Sequence, residues 1–304
     1  MTVAAFYRFV RLDGLEELRG RIARLARSLH LKGTVLLAEE GINATLSGAR
    51  DCLEAFVGEL EEDARFGRLP VKYSSAALDN PVFHRLKVRI KPEILSFGQE
   101  GVDVAARTGD PVDARRWNGL LDDPGVTVVD VRNGYEIGLG AFPGAVDAGI
   151  GHFRDFPEFA RVKLDLERNP RVAMYCTGGI RCEKASAWLL NAGCREVYQL
   201  DGGILRYLET VPAEENRWEG ECFVFDQRVS VDATLAQGSY RQCFACRAPL
   251  SGADMDSPHY RRGVHCPRCY DGLAGSRRES LEERQRQVEL AEARGDRHIG
   301  GPVD

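Results

Sequence analysis

Across residues 3–97 the apolar positions switch between the two-residue rhythm of a strand and the three- and four-residue steps of a helix. Residues 4–10 are apolar and aromatic and read as a strand. Leu15, Leu18, Ile22, Leu25 and Leu29 then mark one face of a helix. Residues 34–38 and 43–46 flank the turn Glu40-Gly41 as short strands, and Leu53, Phe56, Val57 and Leu60 mark a second helix. Residues 71–74 and 86–95 supply further strands. This order predicts a small α+β sandwich of the ferredoxin-like kind over residues 1–97.

The rhythm then stops. Residues 98–115 are rich in Gly, Asp and Ala, show no periodicity and read as a linker. Beyond them, 126–131, 145–148, 172–176 and 196–200 are short strands, three of them mostly apolar. Helical segments lie around 156–167, 183–191 and 204–209. Buried strands alternating with helices predict an α/β domain with a doubly wound parallel sheet over residues 116–212. Residues 213–275 open on a polar stretch, continue with a strand or hairpin at 222–231 and end in a cysteine cluster. The last segment, 276–304, is heavily charged and reads as a solvated or frayed helix.

Composition adds limits. A chain of 304 residues has room for about two or three domains. With 41 Lys plus Arg against 46 Asp plus Glu, any nucleic-acid surface must be local rather than global. The amino terminus lacks the basic-then-apolar pattern of a signal peptide, and no run approaches the roughly 18 apolar residues of a membrane span. Cytoplasmic localisation is the expectation. In that reducing compartment nine cysteines read as catalytic thiols and metal ligands rather than as disulfides.

The richest stretch is RVAMYCTGGIRCEKASAWLL, residues 171–190. An apolar strand ends at Cys176, a turn containing Gly178 and Gly179 follows, and a helix begins. The sulfur is thereby expected at the carboxyl end of a parallel strand, with the N–H groups of the next helix aimed at it. The glycines let several amides converge on an anion, and Arg181 adds positive charge. Each feature favours a thiolate over a free thiol of pKa about 8.5. Cys182 reads either as a resolving thiol for Cys176 or as a packed residue at the helix start. Cys52, Cys194 and Cys222 read as ordinary buried small residues.

Asp130-Val131-Arg132, Glu136, Gly144-Ala145, the Cys176 loop and Leu200-Asp201-Gly202-Gly203 resemble the rhodanese domain in order and spacing. In that family the loop cysteine carries a persulfide. Four residues separate Cys from Arg in its sulfurtransferases and five in the related phosphatases. Thr177, Gly178, Gly179 and Ile180 make four here, which favours sulfur chemistry. AEEGINATLSG (38–48), FHRLKVRIKPEILSFG (83–98), YCTGGIRCEKAS (175–186) and CFACRAPLS (243–251) together resemble the TrhO family, the oxygen-dependent tRNA uridine hydroxylases. The resemblance covers about residues 3–270. It implies formation of 5-hydroxyuridine at the wobble position (U34) of tRNA, with molecular oxygen as co-substrate and Cys176 as the persulfide cysteine.

Two further clusters carry chemistry. Arg85, Lys87, Arg89 and Lys91 alternate with Leu86, Val88 and Ile90, so a strand here puts its cations on one face. Such a row either tracks an RNA backbone or guards a sheet edge against aggregation. The resemblance to a tRNA-modifying family favours RNA. Cys243-x-x-Cys246 and Cys266-x-x-Cys269, nineteen residues apart, have the spacing of a tetrahedral zinc site. Four cysteines close the coordination shell, which indicates a structural ion. No G-x-G-x-x-G following a strand and no P-loop is present, so no nucleotide cofactor is indicated. Two rival functions stay open: a sulfurtransferase that passes sulfane sulfur onward, with a sulfur donor protein as partner, and an RNA-binding module whose rhodanese domain is regulatory.

Overall fold

The computed structural model describes residues 1–75, 82–166 and 170–295. Its first part runs β1 (Thr2–Phe9), α1 (Leu15–Ser28), β2 (Lys32–Ala38), β3 (Gly41–Gly48), α2 (Arg50–Glu61), β4 (Lys72–Ser75) and β5 (Leu86–Ile90). The strands form one sheet in the order β4-β1-β3-β2-β5, the ferredoxin-like order with β5 added in parallel at the β2 edge. Leu18, Ile22 and Ala26 of α1 and Leu53, Phe56, Val57 and Leu60 of α2 bury one face of this sheet. Both helices therefore follow the apolar spacing of the sequence. The opposite sheet face stays available to the rest of the chain.

The strand expected over 86–95 ends at Ile90. Pro92 has no N–H for a ladder, and the Glu93 carboxylate accepts instead from Phe97 N and Gly98 N, which turns the chain.

The second part holds β6 (Asp110–Val112), α3 (Ala114–Leu121), β7 (Thr127–Asp130), α4 (Gly134–Ile137), β8 (Gly140–Ala141), β9 (Val146–Asp147), α5 (Phe156–Lys163), β10 (Arg171–Tyr175), α6 (Ile180–Asn191), β11 (Glu196–Leu200) and α7 (Gly203–Thr210). A parallel sheet with the order β6-β11-β10-β7-β9 forms its centre. Val172 through Tyr175 are all buried on the central β10, as a strand covered on both faces requires. The linker reading of 98–115 needs correction at its end, because Asp110–Val112 is the edge strand β6. Pro111 suits an edge, and three residues are too few to show alternation. The helix expected from 183 begins three residues earlier, which places Arg181 and Cys182 in its first turn. Residue 167, the end of the expected 156–167 helix, lies outside the described residues.

The third part contains β12 (Glu219–Gly220), β13 (Cys222–Phe223), β14 (Ser230–Val231), β15 (Arg241–Gln242), β16 (Pro249–Leu250), α8 (Gly252–Asp256) and α9 (Gly275–Ala293). β12 pairs with β8, so this chain returns to the second part. β13 and β14 form the hairpin expected over 222–231. The charged tail is more than a solvated helix. Leu281, Gln285 and Ala291 of α9 are buried, and Arg284 donates to Gly263 O at 2.8 Å and Phe244 O at 3.2 Å. Residues 296–304 lie outside the described residues. Among the described residues no helix is long and apolar enough to cross a membrane.

Candidate active site

Cys176 follows β10 directly, so its position is set by a strand buried from Val172 to Tyr175. Gly179 N donates to its sulfur at 3.1 Å, and the N–H groups of Arg181 and Cys182 also face it. Arg181 and Cys182 lie in the first turn of α6, whose amides lack the usual acceptor four residues earlier, and the Cys182 N–H also donates to Gly179 O at 3.0 Å. Gly203 makes room behind the loop. Its φ is +67°, and a Cβ there would stand 2.8 Å from Gly179 N and from Thr177 O. Any side chain at this position would displace the loop.

Burial opposes ionisation of Cys176. The Cys182 thiol, the Arg181 guanidinium and the loop amides outweigh it and hold the Cys176 thiol down at about 5. Burial and the neighbouring Cys176 anion push the Cys182 thiol well up. Cys182 is therefore a neutral donor to Cys176 and is fully buried. Cys194 and Cys222 are buried as expected, whereas Cys52 is only half-buried.

Arg181 does more than supply charge. It grips Glu136 through two hydrogen bonds of 2.6 and 2.7 Å, and Thr177 joins the pair with Oγ1 3.3 Å from both Glu136 Oε2 and Arg181 Nη2. All three residues are buried. Glu136 fixes the guanidinium plane and so holds the side of the loop that Arg181 closes. A second buried pair, Arg132 with Asp130 at 2.6 Å, secures the end of β7 alongside.

Cys176 forms part of the wall of a cavity of about 420 Å³. Its remaining walls come from all three parts of the chain: Tyr7 and Lys72 from the first sheet, Arg181 from the loop, Phe225 and Arg228 from the hairpin. Lys184 holds the first two parts together. It is 2% exposed, and its ammonium meets Glu40 at 2.9 Å, Glu93 at 2.7 Å and Leu95 O at 2.9 Å. Arg228 does the same for the hairpin, reaching Ser74 Oγ at 3.0 Å while paired with Asp226 at 2.6 Å. Sequence reasoning passed over Tyr7, Lys72, Lys184 and Phe225. A lone Lys or Tyr in an alternating strand gives no local sign of what will dock on it.

The structure does not bring Arg85, Lys87, Arg89 and Lys91 into the cavity. Arg85, Arg89 and Lys91 are exposed and Lys87 is half-buried, at the β5 edge of the first sheet. Register nevertheless links them to it. Lys87 is paired with Thr34, Thr34 with Thr45, Thr45 with Ala5, and Ala5 with Lys72. Directly paired residues share a face, so one continuous row runs from the basic edge to the cavity wall.

Away from this site, the sulfurs of Cys243, Cys246, Cys266 and Cys269 all lie within 4.8 Å of one another. Individual separations are 4.0 Å for Cys243–Cys269, 3.7 Å for Cys246–Cys266 and 3.8 Å for Cys266–Cys269. These are far beyond the roughly 2.05 Å of a disulfide. The cluster can hold a metal ion.

Residues 1–94 match the UPF0176 acylphosphatase like domain and residues 113–210 the Rhodanese-like domain. A tRNA uridine(34) hydroxylase from Mesorhizobium japonicum is 48% identical over 299 residues, 98% of this chain and 96% of the relative. Two solved structures resemble single parts. A rhodanese-like domain from Anabaena is 25% identical with a TM-score of 0.31, over 37% of this chain and 80% of that one. An acylphosphatase from Bacillus subtilis is 18% identical with a TM-score of 0.25, over 29% of this chain and 99% of that one. With 48% identity over 98% of its length to that relative, the chain belongs to the tRNA uridine(34) hydroxylase family.

Proposed function

We propose that this protein is a tRNA-modifying oxidoreductase that hydroxylates uridine 34 to 5-hydroxyuridine, with molecular oxygen as co-substrate and Cys176 as the reactive, persulfide-bearing residue. The whole-chain likeness to a relative of that name carries the reaction class. The cavity supports the rest: it places a thiolate cradle against the open face of the first sheet and offers about 420 Å³. Thr177, Gly178, Gly179 and Ile180 form the active-site loop. Arg181, held by Glu136, keeps the loop closed and favours the anionic sulfur.

Nucleoside mass spectrometry of tRNA from a strain lacking the gene tests this reading. Loss of 5-hydroxyuridine is the expected result. Loss of a thiolated nucleoside instead would favour a sulfurtransferase fed by a sulfur donor protein, a reading that the four-residue loop also suits. No change in either would leave RNA binding with a regulatory rhodanese domain.

Residues 1–97 serve in this reading as the RNA-facing part, with tRNA as the partner. Arg85, Lys87, Arg89 and Lys91 follow the phosphate backbone, and the row through Thr34 and Thr45 leads a nucleotide toward Cys176. Replacing all four cations with Ala should weaken binding to every tRNA. The slope of log affinity against log salt should become shallower by about 0.7–0.9 for each phosphate no longer neutralised. A filter-binding titration in which parent and variant give the same slope removes this edge from the interface.

The four cysteines are assigned a structural zinc. A tetrahedral ion with Zn–S bonds of about 2.3 Å sets its sulfurs about 3.8 Å apart. The separations of 3.7, 3.8 and 4.0 Å fit that geometry.

A further inference from the structure

The carbonyl groups of the Cys176 loop can be accounted for one by one. Ile204 N donates to Cys176 O at 3.0 Å, Leu205 N to Thr177 O at 3.1 Å, and Cys182 N to Gly179 O at 3.0 Å. The remaining carbonyl, Gly178 O, takes its hydrogen bond from the ammonium of Lys72, 106 residues earlier and in the other sheet. The same ammonium donates to Gly202 O at 2.6 Å.

Gly178 C=O and Gly179 N–H belong to one planar peptide group and point in opposite directions. That Gly179 N–H is the group donating to Cys176 Sγ at 3.1 Å. Lys72 thus holds one end of a peptide plane whose other end touches the sulfur. A cation on the carbonyl oxygen fixes the plane against rotation and polarises it, which strengthens the N–H as a donor. The peptide flanked by two glycines would otherwise be the freest in the loop.

The charged and titratable groups around the sulfur are few. Arg181, Cys182 and Glu183 come from α6, Glu136 from α4, and Tyr7 and Lys72 from the first sheet. Asp201 and Arg206 stand near Lys72. Arg181 is committed to Glu136. Among the described residues Lys72 hydrogen-bonds only to the two carbonyl oxygens, so its charge is not neutralised by a bonded carboxylate. Burial lowers the Lys72 ammonium to about 8 against the opposing pull of the Cys176 anion, and it is charged at neutral pH.

We infer that Lys72 is a positioning residue for the Cys176 thiolate: by gripping Gly178 O across the domain boundary, it sets the Gly179 N–H on the sulfur and makes thiolate formation depend on docking of the first sheet. This concerns the state of the sulfur and holds whether the acceptor is tRNA or another molecule.

The test reads the thiol directly in full-length protein. Cys176 is alkylated with iodoacetamide across a pH series, and its own peptide is quantified by mass spectrometry. The midpoint of the profile is compared, not the absolute rate, so differences in access drop out. Lys72→Met should move the midpoint up by about one unit or more. Lys72→Arg, which keeps a cationic donor, should restore most of the parental profile. Where Lys72→Met does not yield folded protein, Lys72→Gln keeps a neutral donor and should still shift the midpoint upward. A folded Lys72→Met or Lys72→Gln variant with the parental midpoint overturns the inference. So does a Lys72→Arg variant shifted as far as Lys72→Met. Loss of 5-hydroxyuridine is not the readout, so failure here leaves the proposed reaction untouched.

Discussion

Cys176→Ser is expected to abolish 5-hydroxyuridine formation while the protein melts as the parent does. Oxygen replaces sulfur with little change in volume, so the packed end of β10 keeps its neighbours. The chemistry does not survive the exchange. Cys176 ionises at about 5 in its cradle and is an anion at neutral pH, whereas a serine hydroxyl in the same place stays protonated and cannot carry a persulfide. Because the depressed thiol must be ionised to react, parental activity should be flat above neutrality and fall as pH drops through about 5. Cys182→Ser should be far milder, since a hydroxyl can replace the Cys182 thiol as a donor to the Cys176 anion. The measurement is mass spectrometry of tRNA from a deletion strain complemented with each variant. Parental levels of 5-hydroxyuridine with Cys176→Ser would remove the loop from catalysis.

Stripping the metal should have the largest effect on stability. Structural zinc contributes on the order of 10–16 kcal/mol of apparent binding energy in small cysteine and histidine modules, and that energy is folding energy. Around Cys243, Cys246, Cys266 and Cys269 the buried apolar company is slight, essentially Leu250 with half-buried Ala245, Met255 and Tyr260. Apolar burial of that extent is too small to stabilise such a module by itself. Reduced protein as purified should carry about one zinc per chain by elemental analysis. Chelation should then melt residues 241–270 and release α9, whose hydrogen bonds through Arg284 end on Phe244 and Gly263. Far-UV circular dichroism would report the lost helix as a separate early transition. Absence of zinc, or an unchanged spectrum after chelation, rules the metal out.

Much of this was legible because the informative signals were local. Leu15, Leu18, Ile22, Leu25 and Leu29 announce a helix by spacing alone, and Val172–Tyr175 announce a buried strand by their apolar run. The strand, Gly-Gly turn and helix start around Cys176 form one continuous stretch, so the sulfur's environment could be read from its own neighbours. What stayed hidden was made by docking. Lys72, Tyr7 and Lys184 acquire their roles from groups about 90 to 176 residues away. β6 was lost in the linker because a short edge strand containing Pro111 shows no pattern. The cations of β5 were legible as a row, but only the sheet register shows that Lys87 shares a face with Lys72.

The cavity wall also has an order in time. It is built from residues as early as Val3 and as late as Leu235, while the loop holding Cys176 has its own helical supports by Thr210. A chain emerging from the ribosome amino end first can therefore complete the sulfur's cradle before it completes the chamber around it. At about 5–20 residues per second, the stretch from 210 to 235 takes on the order of one to five seconds. Until Phe225 and Arg228 have been made, the cavity lacks its hairpin wall. The chamber therefore closes last, after the loop it encloses has been made.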